Sequence, residues 1–122
     1  MNDKLHVPDE RSLSQDEIIL LEWLLAHGRS DALQYTPQIP KLRVVSRCGC
    51  GCPTIDFAMG TTRKDGPSHV IADAEGNSPE GVLVGVIVHV REEEISELEI
   101  YSVTGEKRFS LPKPESLVPW PD

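Results

Sequence analysis

The chain has 122 residues, 39% hydrophobic and 26% charged, the make-up of an ordinary globular domain and not of a disordered, collagen-like or membrane-embedded chain. Twelve basic against twenty acidic side chains leave a formal net charge of −8, which repels phosphate backbones and argues against nucleic-acid binding. Three cysteines are too few for a disulfide-stapled miniprotein and leave at least one thiol unpaired.

The N-terminus has no basic patch followed by an apolar run, and no stretch of the chain nears the ~20 apolar residues that cross a bilayer. The expectation is a cytoplasmic protein with reduced thiols and no membrane contact. It forms one domain over 1–122, with 1–12 and 118–122 as flexible tails.

The clearest local signal is a helix over 15–27. Ser14 caps it, Glu17 completes a capping box, and Leu13 and Ile18 occupy the staple positions. Asp16 and Glu17 suit the positive end of the helix dipole, and His27-Gly28 provides a stop. Every residue from 18 to 26 except Glu22 is apolar, so this helix must be covered on more than one side, by the rest of the chain or by a partner. Residues 30–35 suit a short helical turn, broken at Pro37 and again at Pro40.

From Lys41 the period changes to that of strands. Residues 42–47 are rich in β-branched side chains, and 54–58 alternate strictly. Between them lies Cys48-Gly49-Cys50-Gly51-Cys52-Pro53, where the glycines permit a bend and Pro53 limits pairing. Residues 60–68 read as a loop and 69–74 as a short strand. Residues 82–90 carry valine at every second position and apolar residues between, the pattern of a central strand covered on both sides. Residues 95–103 return as a half-buried strand, followed by a turn into 107–111 and a proline-rich end with no regular structure. Strands joined by short links, with no helical crossover among them, give an antiparallel sheet. The predicted class is α+β, with the N-terminal helix packed on a sheet of four to six strands.

Cys48, Cys50 and Cys52 are the candidate metal ligands, because alternate thiolates on an extended segment project to one side and suit zinc or copper. Zinc would need a fourth ligand, which must come from His6, His27, His69 or His89, none in a metal-spaced motif. The plainer alternative makes the cysteines small apolar fillers at a strand junction. Asp56 alternates with Ile55 and Phe57, so it is expected on a solvated face, paired with Arg47, Glu97 or Glu99. An acid–base role for it would require His69 or His89 nearby in a cleft. No phosphate-binding glycine loop, nucleophile elbow or His-Glu-x-x-His motif is present, and no catalytic residue or organic cofactor is assigned. Residues 1–60 carry six basic and eight acidic side chains and residues 61–122 six and twelve, so acidity gathers in the second half. That surface is either a solvated edge or a steering patch for a basic protein partner.

The run Cys48-Gly-Cys-Gly-Cys52-Pro53, the strand Leu98-Glu-Ile-Tyr101 and the closing Leu111-Pro-Lys-Pro-Glu-Ser-Leu117 resemble a group of small bacterial proteins with a Leu/Trp-rich N-terminal helix and a Cys-Gly-Cys-Pro strand junction. The likeness spans most of 13–117 and implies a shared fold and a bacterial origin, without an activity, cofactor or catalytic residue. The function expected is therefore non-catalytic: protein–protein contact or homodimerisation, with Trp23 and Trp120 as the interaction residues. The alternative is metal binding or thiol chemistry at Cys48, Cys50 and Cys52.

Overall fold

A computed structural model describes residues 6–120. Seven strands, β1 (His6–Ser12), β2 (Arg43–Cys48), β3 (Ile55–Ala58), β4 (His69–Asn77), β5 (Leu83–Arg91), β6 (Glu94–Ser102) and β7 (Val118–Pro119), form one antiparallel sheet. Helix α1 (Gln15–Ala26) follows β1, and a 3₁₀ segment (Ala32–Lys41) leads into β2. The strand order β1-β2-β3-β6-β5-β4-β7 joins two three-stranded meanders at the short β3–β6 seam.

Seven strands exceed the four to six expected, and the additions lie at the two edges. Residues 6–12, read from sequence as part of a tail, form β1, paired with β2 from His6↔Cys48 to Ser12↔Arg43. Pro8 and the three charged side chains Asp9, Glu10 and Arg11 disguise that strand, and only pairing on β2 reveals it. Residues 118 and 119, also placed in a tail, make two bridges to β4. The remainder of both expected tails, 1–5 and 121–122, lies outside the described residues. Residues 107–111 form no strand.

The start of α1 follows local chemistry. Ser14 Oγ accepts from the Glu17 amide at 3.2 Å, and the Glu17 carboxylate accepts from the Ser14 amide at 2.8 Å. Two of the helix's orphan N–H groups are thereby satisfied. Arg11, from β1, forks onto both oxygens of Glu17 at 2.9 and 2.8 Å, tying strand to helix. Burial pushes the Glu17 carboxyl up, but the Arg11 fork and the Ser14 amide outweigh it and hold it below the ordinary value. At the other end His27 caps the helix and Gly28 lets it touch β4. A Cβ there would stand 2.6 Å from the Ile71 carbonyl, which already accepts from the Arg29 amide at 2.8 Å.

Leu20, Leu21, Leu24 and Leu25 are buried in one cluster with Val44, Phe57 and the alternate valines of β5. The broad apolar surface of α1 meets the 3₁₀ segment, β4 and the turn at 114–116. Those neighbours belong to this chain, so most of that surface is covered without a partner. The 3₁₀ segment runs straight through Pro37 and Pro40, where the sequence suggested breaks. Its tighter turn and local bonding tolerate prolines that an α-helix would not.

On β5 the valines at 84, 86, 88 and 90 are buried in the core. The expected cover on the opposite face is only partial: Leu83, Ile87 and His89 are half-buried, and the Tyr101 ring lies over Gly85, filling the space a side chain would need.

Candidate metal centre

The β2–β3 connection gathers the three thiols. Cys48 ends β2, buried, with its amide donating to the Thr54 carbonyl at 3.1 Å and closing the turn. Thr54 Oγ1 donates to the Ile100 carbonyl and accepts from its amide, at 3.0 and 2.8 Å, fixing the exit of the turn on β6. Gly51 has φ +102°, a conformation glycine adopts freely, and it faces the Arg108 side chain. The turn so formed aims all three sulfurs one way. Cys48 and Cys50 Sγ lie 2.8 Å apart, Cys50 and Cys52 Sγ 3.0 Å, and all three within 4.8 Å of one another. A disulfide bond is about 2.05 Å, and the three cysteines are unbonded.

The thiols differ in exposure: Cys48 is buried, Cys52 half-buried, Cys50 exposed. They border a cavity of about 260 Å³ whose other walls include Ile100, Tyr101, Phe109 and Lys107. Burial, and the hydrogen bond with Cys50, push the Cys48 thiol up to about 12. Burial works the same way on Cys50, yet its hydrogen bonds with the Cys48 and Cys52 thiols prevail and hold it below the ordinary value. The central thiol is therefore both the most accessible and one whose hydrogen bonds favour the thiolate, the combination that thiolate chemistry requires.

No family model, curated protein or solved structure matches this chain. The site is therefore read from its own chemistry.

The four histidines do not join the thiols. His6 Nδ1 sits 2.8 Å from Asp56, His27 Nδ1 2.8 Å from the Trp23 carbonyl, and His69 Nε2 2.9 Å from Asp31. His89 lies between Ser68 and Glu99, 2.8 Å from the latter. Neither His69 nor His89, which an acid–base role for Asp56 would require, stands beside it; the histidine there is His6.

Asp56 itself overturns the expected solvated face. It is 3% exposed, and its carboxylate accepts from Ser46 Oγ at 2.6 Å and from Arg63 at 2.6 Å. Across the β3–β6 seam it faces Glu97, which Arg91 and Arg63 approach to 3.5 and 3.8 Å. Of the expected partners Arg47, Glu97 and Glu99, Glu97 lies opposite Asp56, whereas Arg47 pairs across from Ile55 and reaches Asp9 at 3.8 Å. His89, Glu97 and Glu99 also bring a donor atom each within 4.8 Å, but the arginines already neutralise Glu97, and the group reads as an ion-pair network on the outer face. Much of the acidity near the β5–β6 hairpin is spent internally in this way, and Glu94 adds a contact to Lys64 at 3.9 Å.

Trp23 stacks on His27 with ring centroids 4.1 Å apart and packs partly buried against the core, so its ring is largely engaged within the chain. Trp120 is 52% exposed beside β4, its amide donating to the Asp73 carbonyl.

Proposed function

We propose that the chain binds a soft or borderline metal ion, copper or zinc, through Cys48, Cys50 and Cys52. The observation that carries this reading is the convergence of three sulfurs to within 4.8 Å of one another on a single turn. Cysteines acting as apolar filler would be buried and separate, whereas two of these three reach the surface around a shared cavity. Thiolate donors select soft and borderline metals. Protein purified under reducing conditions without chelators is expected to carry one equivalent of copper or zinc per chain, and removing the metal should speed alkylation of Cys50 and Cys52. A metal-free preparation whose alkylation is indifferent to added copper and zinc overturns the reading.

A second, non-catalytic reading is contact with another copy or with a basic protein. Val118 and Trp120, 68% and 52% exposed beside the β4 edge, support it, as does the acidic balance of residues 61–122. Light scattering after size exclusion is expected to give a dimer that Trp120→Ala weakens, or a monomer that pairs with a cationic protein in a salt-sensitive way. A monomer indifferent to both overturns it.

A further inference from the structure

Resting on the metal-binding reading, we propose that the three-thiol turn takes Cu(I) as a three-coordinate ion and does not retain Zn(II). Structural zinc is held by four protein ligands in a tetrahedron, and zinc on three protein ligands completes its shell with an exchangeable water, which holds it less firmly against a chelator. Around these sulfurs, among the described residues, the set of donors within 4.8 Å ends at three. Each histidine that could supply a fourth is bonded elsewhere, to Asp56, the Trp23 carbonyl, Asp31, or Ser68 and Glu99. The two carboxylates bordering the cavity are engaged too, Glu99 by His89 and Glu106 by Ser102 at 2.8 Å. Recruiting any of them breaks a bond already made.

Cu(I) has no such need. It is a soft, closed-shell ion satisfied by two or three thiolates, and a Cys-x-Cys-x-Cys turn places three on one side without wrapping a fourth corner. Binding exchanges three S–H bonds for three S–Cu bonds, releases three protons to solvent and changes no oxidation state. The resulting centre carries two negative charges. Lys107 borders the cavity, and the Arg108 side chain lies against Gly51 in the same turn, so two cations stand beside the anionic centre. Cys50, on the exposed rim, gives an incoming ion its first contact.

The test titrates reduced, metal-free protein under nitrogen with Cu(I) against bathocuproine disulfonate, and in parallel with Zn(II) against a chromophoric indicator of micromolar affinity. The expected result is one Cu(I) per chain withheld from the chelator, with three sulfur neighbours by X-ray absorption, while zinc passes to the indicator. Cys50→Ser, an exposed change whose folding is verified by circular dichroism, should surrender the copper. Stoichiometric retention of zinc, with tetrahedral d–d bands on Co(II) substitution, overturns three-coordination and leaves metal binding standing. Retention of neither ion overturns both. Copper held equally well by Cys50→Ser overturns the assignment of this site.

Discussion

Replacing Asp56 with alanine is expected to destabilise the protein by about 3–5 kcal/mol, the range for removing one partner of a buried ion pair. Asp56 is 3% exposed; its Oδ1 accepts from Arg63, and its Oδ2 accepts from Ser46 Oγ with His6 Nδ1 2.8 Å away. Without it the Ser46 hydroxyl and His6 lose a partner, and Arg63, whose side chain is 25% exposed, keeps Glu97 at 3.8 Å as its carboxylate among the described residues. The loss also falls at the β3–β6 seam, where the described register has two pairs, Ile55↔Leu98 and Asp56↔Glu97. Because a domain of this size is stable by about 5–15 kcal/mol, the change would consume a large part of the total. Urea unfolding of Asp56→Ala, of Arg63→Ala and of Asp56→Ala/Arg63→Ala checks it. The double variant should lose less than the sum of the two single ones, since removing the arginine relieves a stranded charge. Strict additivity, or a loss below about 1 kcal/mol, would place Asp56 among ordinary surface pairs.

Phe57→Ala carries an effect of similar size from a different cause. Phe57 is fully buried and stands one residue along β3 from Asp56, on the opposite face, paired with Val44 of β2. Its ring shares a cluster with the α1 leucines and the β5 valines. Truncation removes the ring's burial and leaves a cavity between elements that cannot close on it, a combination that costs about 3–5 kcal/mol. The midpoint in urea should fall while the slope with denaturant stays constant, since the surface exposed on unfolding barely changes. Phe57→Leu, which refills most of the space, should recover the larger part. A Phe57→Ala variant within 1 kcal/mol of the parent would mean that β3 is not the clamp between the two meanders.

Side by side, Asp56 and Phe57 mark how far residue patterns reach. Their alternation correctly puts them on opposite faces of one strand, because that follows from the pleat alone. What alternation cannot supply is the cover over the polar face. Arg63 comes from the irregular loop at 60–68, whose path no local pattern fixes, and His6, 50 residues from Asp56 in sequence, comes from a strand whose proline and charges hide it. The thiols are a middle case. Their spacing predicted that they could act together, and the closure of the turn by the Cys48 amide on Thr54 is what brings the sulfurs within reach of one another. Trp23 is half-buried, and His27, one turn on, stacks on it, a contact that helical spacing allows and only the side-chain packing decides.

By itself the sequence determined the helix and its cap, since Ser14 and Glu17 satisfy backbone groups three residues apart, and it determined the extended segments in the interior of the sheet, β2 to β6, since a period of two is written locally, but not the edge strands β1 and β7. Only the tertiary structure decided that two meanders meet at β3 and β6, that Asp56 is buried and that the histidines are drawn away from the cysteines. These outcomes depend on which distant groups can pair their charges and hydrogen bonds once water is excluded, and that energy belongs to pairs of segments rather than to either segment's own residues.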